Sequence, residues 1–116
     1  MTNSELTEKT LSLFNQANWD EWRKYVTNDA TMEDMAAGIK AVGVDEVVGY
    51  VQGWKTGFPD MEGTCVNRID AGDTLVEECT WTGTHTGNIM TPDGGTIPPT
   101  GKSVNLKNVL IYEFEG

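Results

Sequence analysis

The stretch MEGTCVNRIDAGDTLVEECTWTGTH, residues 61–85, decides the fold. Two runs, 61–70 and 75–85, alternate apolar and polar side chains, with the turn Ala71-Gly72-Asp73 between them. A period of two marks a strand with one covered face, so the stretch reads as a long antiparallel pair. If the three-residue turn sets the register, Cys65 and Cys79 face one another across the pair. A disulfide there would be strained, and two buried free thiols are the better reading.

Downstream, residues 88–102 read as loop because of Pro92, Pro98, Pro99 and the glycines. Residues 104–114 are a third long strand. Val104, Leu106, Leu110, Tyr112 and Phe114 alternate there with Lys107, Val109 and Ile111, which predicts cover on both faces.

Upstream the period becomes helical. Val44, Val47, Val48, Val51, Trp54, Lys55 and Phe58 recur at three- and four-residue steps, and Pro59 stops the run. Gly49, Gly53 and Gly57 form another line, which reads as close backbone packing. A first helix is capped by Ser4 and faces inward through Leu6, Thr10, Leu13, Phe14 and Ala17. Asn18 caps a short second helix, with Glu21 at the capping-box position and Trp19, Trp22, Tyr25 and Val26 as its apolar side. Residues 31–35 read as a brief extended piece.

Helices first and strands afterwards give an α+β fold: a curved, mainly antiparallel sheet with about three N-terminal helices on one face. The 116 residues form one domain, 1–116, and a second copy is expected to cover the other face as a homodimer.

Eight Lys and Arg against 18 Asp and Glu leave a net charge of −10, and Arg23 and Arg68 are the only arginines. That excludes nucleic acid and anionic membrane surfaces as partners, since both need basic patches. No apolar run approaches the roughly eighteen residues of a membrane span. The start, Met1-Thr2-Asn3-Ser4-Glu5, has no signal-peptide character, so a cytoplasmic setting is expected. Two cysteines and one histidine are too few soft ligands for a structural metal.

Thr100-Gly101-Lys102-Ser103 looks like the end of a phosphate loop, but Thr96 stands where the motif needs glycine. No serine sits in a Gly-x-Ser-x-Gly elbow, so a nucleophilic triad is not visible. Acid–base chemistry, or binding in an apolar pocket, remains. His85, in Gly83-Thr84-His85-Thr86-Gly87, is the one imidazole of the sequence, the side-chain type suited to proton transfer and hydrogen bonding. It either handles a proton or ties the strand end to a loop. Glu33 and Asp34, between Met32 and Met35, are either a carboxylate with raised pKa in an apolar mouth or a solvated turn. Val51, Trp54, Phe58 and Trp81 either line a cavity or fill a core.

Several strings carry a family resemblance. Leu13-Phe14-Asn15, Trp19-Asp20-Glu21-Trp22, Gly53-Trp54 and Phe58-Pro59-Asp60 are similar to the SnoaL-like polyketide cyclases. So are Trp81-Thr82-Gly83-Thr84-His85-Thr86-Gly87 and Ile97-Pro98-Pro99-Thr100-Gly101-Lys102. The ordered set spans nearly the whole chain. The resemblance implies a nuclear transport factor 2-like cone of bent sheet and three helices around a pocket. It also implies a homodimer, no metal or organic cofactor, and ring closure by intramolecular aldol condensation. The cyclases carry their acid–base aspartate on a final strand, after a turn like Phe114-Glu115-Gly116, where this sequence stops. The domain is therefore expected to lack that strand. Polar groups of the cyclases' preceding strand fall on Lys107 and Val109, so Lys107 joins the expected ligand contacts. Epoxide hydrolases of the same fold use an Asp-Arg-Asp set, which the surroundings of Arg23 and Arg68 do not match.

The resulting expectation is a pocket for a hydrophobic small molecule lined by Met32, Met35, Val51, Trp54, Phe58, Trp81 and Lys107. His85 orients or protonates a carbonyl, and Asp34 or Glu33 is the substitute base. The alternatives are a non-catalytic binding module and a dimerising scaffold whose cavity is self-filled.

Overall fold

The computed structural model describes residues 1–91 and 94–114. Pro92 of the loop, and Glu115 and Gly116 of the Phe114-Glu115-Gly116 turn, lie outside the described residues. Helix α1 spans Asn3–Asn15, and its cap is Thr2 rather than the expected Ser4. Thr2 Oγ1 accepts from the Glu5 N–H at 3.1 Å, and Glu5 Oε1 accepts from the Thr2 N–H at 3.3 Å. Ser4 has no glutamate three residues on, so only Thr2 can close this reciprocal box. The buried side is Thr7, Leu11, Leu13 and Phe14, turned from the expected face; Ala17 lies outside the helix at φ 55°.

Asn18 caps helix α2, Trp19–Trp22, by accepting from the Glu21 N–H, and a 3-10 turn, Arg23–Tyr25, follows. Strands β1, Thr31–Asp34, and β2, Ile39–Val42, form an antiparallel hairpin. The sequence shows the first strand as an extended piece and conceals the second. Asp34 Oδ1 closes the connection by accepting from the Ala37 N–H at 3.0 Å. Helix α3, Val44–Gly57, buries Val47 and Val48 and ends before Pro59. Of its three glycines only Gly57 is tightly packed, since an added Cβ would lie 2.6 Å from Ile89 Cγ1; Gly49 and Gly53 face open space.

Strands β3, Glu62–Asp70, and β4, Thr74–Thr84, pair antiparallel with Cys65 opposite Cys79, and both thiols are free. A bulge between Cys65 and Asn67 leaves Val66 out of the pairing. The loop that follows contains a small hairpin of β5, Ile89–Met90, and β6, Thr96–Ile97. Strand β7, Ser103–Glu113, pairs with β4, giving the sheet order β3-β4-β7.

Helix α1 lies on this sheet. The Asn15 side chain donates to the Gly63 carbonyl at 3.1 Å and accepts from the Gly63 N–H at 2.9 Å. Gly63 is directly opposite Trp81, and a Cβ there would fall 2.4 Å from the indole. The glycine lets Trp81 lie flat across β3 and meet Phe14 edge to face at 5.2 Å. The core is one cluster including Leu13, Phe14, Trp22, Val47, Phe58 and Met61.

The expected cover on both faces of the third strand is absent from the single chain. Val109 is 61 % and Ile111 69 % exposed. Under α1 the sheet instead buries a charge: Glu77 is 1 % exposed and accepts from Arg68 Nη2 at 2.6 Å. Arg68 also reaches Glu8 at 2.9 Å, and the Cys79 thiol donates to Glu77 at 3.0 Å.

Candidate functional site

Tyr50 and Trp54, four residues apart, lie in one line along α3, and Phe58, the C-cap residue just past its end, continues that line. Their rings meet in sequence, Tyr50 on Trp54 at 6.5 Å and Trp54 on Phe58 at 6.0 Å. Phe58 then stacks on the His85 imidazole at 5.2 Å. The line is thus an aromatic stripe about 12 Å long, from the rise of eight helical residues. Each end carries a polar group.

At the first end Tyr50 donates its phenolic proton to Asp34. Burial, and then this bond, push the Tyr50 hydroxyl up to about 12. The Tyr50 O–H, and then the Ala37 N–H, hold the Asp34 carboxyl below the usual range. This corrects the expectation of a carboxylate with raised pKa, because two donors outweigh partial burial. Glu33, next along β1, points to the other side of the hairpin, is exposed, and lies 3.8 Å from Lys40.

At the other end His85 closes β4 onto the loop. Its N–H donates to the Lys102 carbonyl and its carbonyl accepts from the Gly101 N–H, both at 2.9 Å. The ring is 5 % exposed. Nδ1 lies 3.0 Å from Thr100 Oγ1, whereas Nε2 is buried without a partner among the described residues. A buried polar atom left unpaired costs about 1–3 kcal/mol, so among the described residues Nε2 is a buried side-chain atom with a bond still to make. Nearby, Asp60 Oδ1 accepts from the Thr84 N–H at 2.7 Å, and that bond keeps its carboxyl low.

Of the expected pocket residues, Met32, Val51, Trp54 and Trp81 pack on the one cluster that holds Phe58. Met35 does not join them: it sits in the hairpin connection and is 82 % exposed. Nor does Lys107. Trp81 is directly opposite Leu106 and Lys107 opposite Thr80, so Lys107 emerges from the other face of the sheet. The polar residue on the Trp81 face of β7 is Asn108, whose Oδ1 accepts from Trp81 Nε1 at 2.9 Å. Strand parity, counted from Leu106 and Leu110, carries that signal in the sequence. Tyr50 was equally legible, four residues before Trp54, whereas Thr100 is hidden in a loop without period.

The best-formed recesses lie elsewhere. One of about 210 Å³ is lined by Asp60, Thr82, Gly83, Thr84, Ser103 and Val104, and a broad one of about 590 Å³ lies beside Arg68 and α1. His85 lines neither recess. Among the described residues, no group of three or more His, Cys, Asp or Glu side chains is arranged to hold a metal ion. No helix among them is long and apolar enough to cross a membrane.

A helix-backed antiparallel sheet, with an aromatic stripe ending on a buried histidine, describes a small α+β domain of the cystatin-like, ketosteroid isomerase-like kind. The SnoaL-like polyketide cyclase model matches residues 4–116, and the chain belongs to that family. Similar solved structures include IdmH from Streptomyces antibioticus, described as a candidate polyketide cyclase, at 21 % identity and TM-score 0.79. It is covered over 84 % of its length by 99 % of this chain. A SnoaL-like protein from Jannaschia sp. CCS1 is 22 % identical with TM-score 0.74, over 97 % of this chain and 78 % of its own. A ketosteroid isomerase-like-fold protein from Catenulispora acidiphila is 16 % identical with TM-score 0.77, over 99 % of this chain and 79 % of its own. At these identities the likeness defines the fold alone. A search of curated proteins returns no match.

Proposed function

We propose that the protein binds a hydrophobic, carbonyl-bearing small molecule along the Tyr50–Trp54–Phe58 stripe and performs cofactor-independent acid–base chemistry on it. The observation that carries this is His85: a buried imidazole held through Nδ1, with Nε2 free of any partner among the described residues. Apolar rings supply affinity and one polar atom fixes orientation, the usual division in a small-molecule site. In the reaction, the Asp34 carboxylate removes a proton from the carbon between two carbonyls, and the enolate carbon closes on a further carbonyl. The alkoxide so formed takes that proton back from Asp34, and His85, at the far end of the stripe, holds a distant carbonyl oxygen of the same molecule. A carboxylate held as low as Asp34 is a weak base, so the substrate C–H must be acidic, as in a 1,3-dicarbonyl. Family membership supports a cyclase-like role.

The test is titration of wild type and His85→Ala with an aryl 1,3-diketone, followed by tryptophan fluorescence and product analysis. Binding at least about tenfold weaker in the variant supports the site; equal binding overturns it. The second reading, a non-catalytic holder of a hydrophobic metabolite, is favoured by the Phe58 ring that covers His85. Tight binding with no product selects it.

A homodimer is supported by the face of the sheet turned away from α1. Ile69, Val76 and Ile111 form one cross-strand row there, with Val109 alongside. Around this row the face carries Thr64, Thr80, Thr82 and Asn105, and also Glu62, Glu78, Lys107 and Glu113, so the row itself is its apolar part. Strands of nine, eleven and eleven residues span about 14 by 37 Å, on the order of the area a standard interface covers on each partner. A second copy is the occupant that presents the same apolar row, with Lys107 of each copy available to the other's carboxylates. The facing, unbonded Cys65 and Cys79 thiols suit a reducing, cytoplasmic setting.

A further inference from the structure

Thr100-Gly101-Lys102, the string that imitates a phosphate loop, has a different use in the structure. Gly101 adopts φ 71°, a left-handed conformation that favours glycine, and the turn brings the Lys102 N–H back to Thr100 Oγ1 at 3.3 Å. The same hydroxyl lies 3.0 Å from His85 Nδ1. A threonine hydroxyl has one proton to donate and two lone pairs. Here one lone pair is occupied by Lys102, and Nδ1 is the acceptor that the described residues offer to the proton. The two strand-like bonds of His85 to Gly101 and Lys102 hold the ring at this hydroxyl.

We infer that Thr100 is a positioning residue that sets the tautomer of His85: its hydroxyl donates to Nδ1, so the neutral ring carries its proton on Nε2. His85 then faces the ligand as a hydrogen-bond donor and not as a base. The group received at Nε2 is an acceptor, such as a carbonyl oxygen. A neutral imidazole gives such an oxygen a strong donor without transferring a proton. Proton removal from carbon must then come from another group. The inference rests on the proposed carbonyl-binding role for its use, but not for its geometry, and it is tested without ligand.

His85 is the one histidine of the sequence, so its ring nitrogens can be read without ambiguity in uniformly 15N-labelled protein. Long-range 1H–15N correlation at alkaline pH, where imidazoles are neutral, separates a protonated from an unprotonated ring nitrogen. Wild type is expected to show a protonated Nε2 and an unprotonated Nδ1. Thr100→Ser, which keeps the hydroxyl, is expected to retain this pattern. Thr100→Val, which removes it, is expected to shift the tautomer ratio at least about fivefold toward protonated Nδ1. Wild type with its proton on Nδ1 overturns the inference, and so does an unchanged ratio in a folded Thr100→Val. Should Thr100→Val fail to fold, wild type and Thr100→Ser still decide. A protonated Nε2 in a protein that binds no diketone would sink the proposed function and leave this inference standing.

Discussion

The Phe58 ring and the His85 imidazole are stacked, 5.2 Å between centroids and 30° between planes. Phe58 is therefore at once the last ring of the aromatic stripe and the ring packed on the imidazole whose Nε2 has no partner among the described residues. Phe58→Ala removes a buried ring and is expected to lower stability by about 3–5 kcal/mol, read from denaturant midpoints. It should also make the His85 ring accessible, seen as faster modification by diethyl pyrocarbonate than in wild type.

The Tyr50–Asp34 bond predicts a pH dependence with a definite sign. Asp34 is held below its ordinary value, so its contribution to stability is complete above about pH 4 and fades as pH falls through the lowered value. Asp34→Asn is expected to flatten the acid limb of melting temperature against pH between about pH 2 and 6. In the same variant the Tyr50 phenol, pushed up to about 12, should titrate lower by ultraviolet absorbance. It should fall only part of the way toward 10, because burial is the larger cause of the shift.

Arg68 is the counterpart of the most deeply buried charge. Arg68→Ala leaves Glu77 without its partner under α1 and is expected to destabilise the fold by about 3–5 kcal/mol. Glu77→Gln keeps an acceptor and should cost less. Thermal unfolding of both variants checks the order.

Gly63→Ala places a methyl against the Trp81 indole and is expected to cost about 1–3 kcal/mol by overpacking. Ile111→Lys leaves the monomer core untouched and should shift sedimentation from dimer to monomer. An unchanged sedimentation coefficient would remove that face from the interface.

The sheet was legible because its signals are long and local. The 61–85 stretch holds two alternating runs around one turn. Cys65 does face Cys79, but by way of two offsets the sequence does not show: the ladder starts with Asp70 opposite Leu75, and the bulge at Val66 restores the register that counting from Gly72 gives. Strand β2 was not legible, because four residues, Ile39–Val42, carry too little period to separate from the approach to α3. The site divides in the same way. Trp54, Phe58 and His85 stand in strong periodic or motif contexts and meet in the structure. Lys107 was placed by analogy with a related strand, and a one-residue error in a strand moves a side chain to the opposite face. Asn108 occupies the position that Lys107 was expected to fill. Thr100 depends on a turn made by Gly101 at positive φ, which no hydrophobic pattern records.

The most direct test of the account is a titration of 15N-labelled protein with an aryl 1,3-diketone, observing His85 and the tryptophan indoles together. The account predicts saturable shifts of the His85 ring and of Trp54, with one common dissociation constant. Shifts confined to other parts of the chain, or no saturable shift at His85, would contradict it.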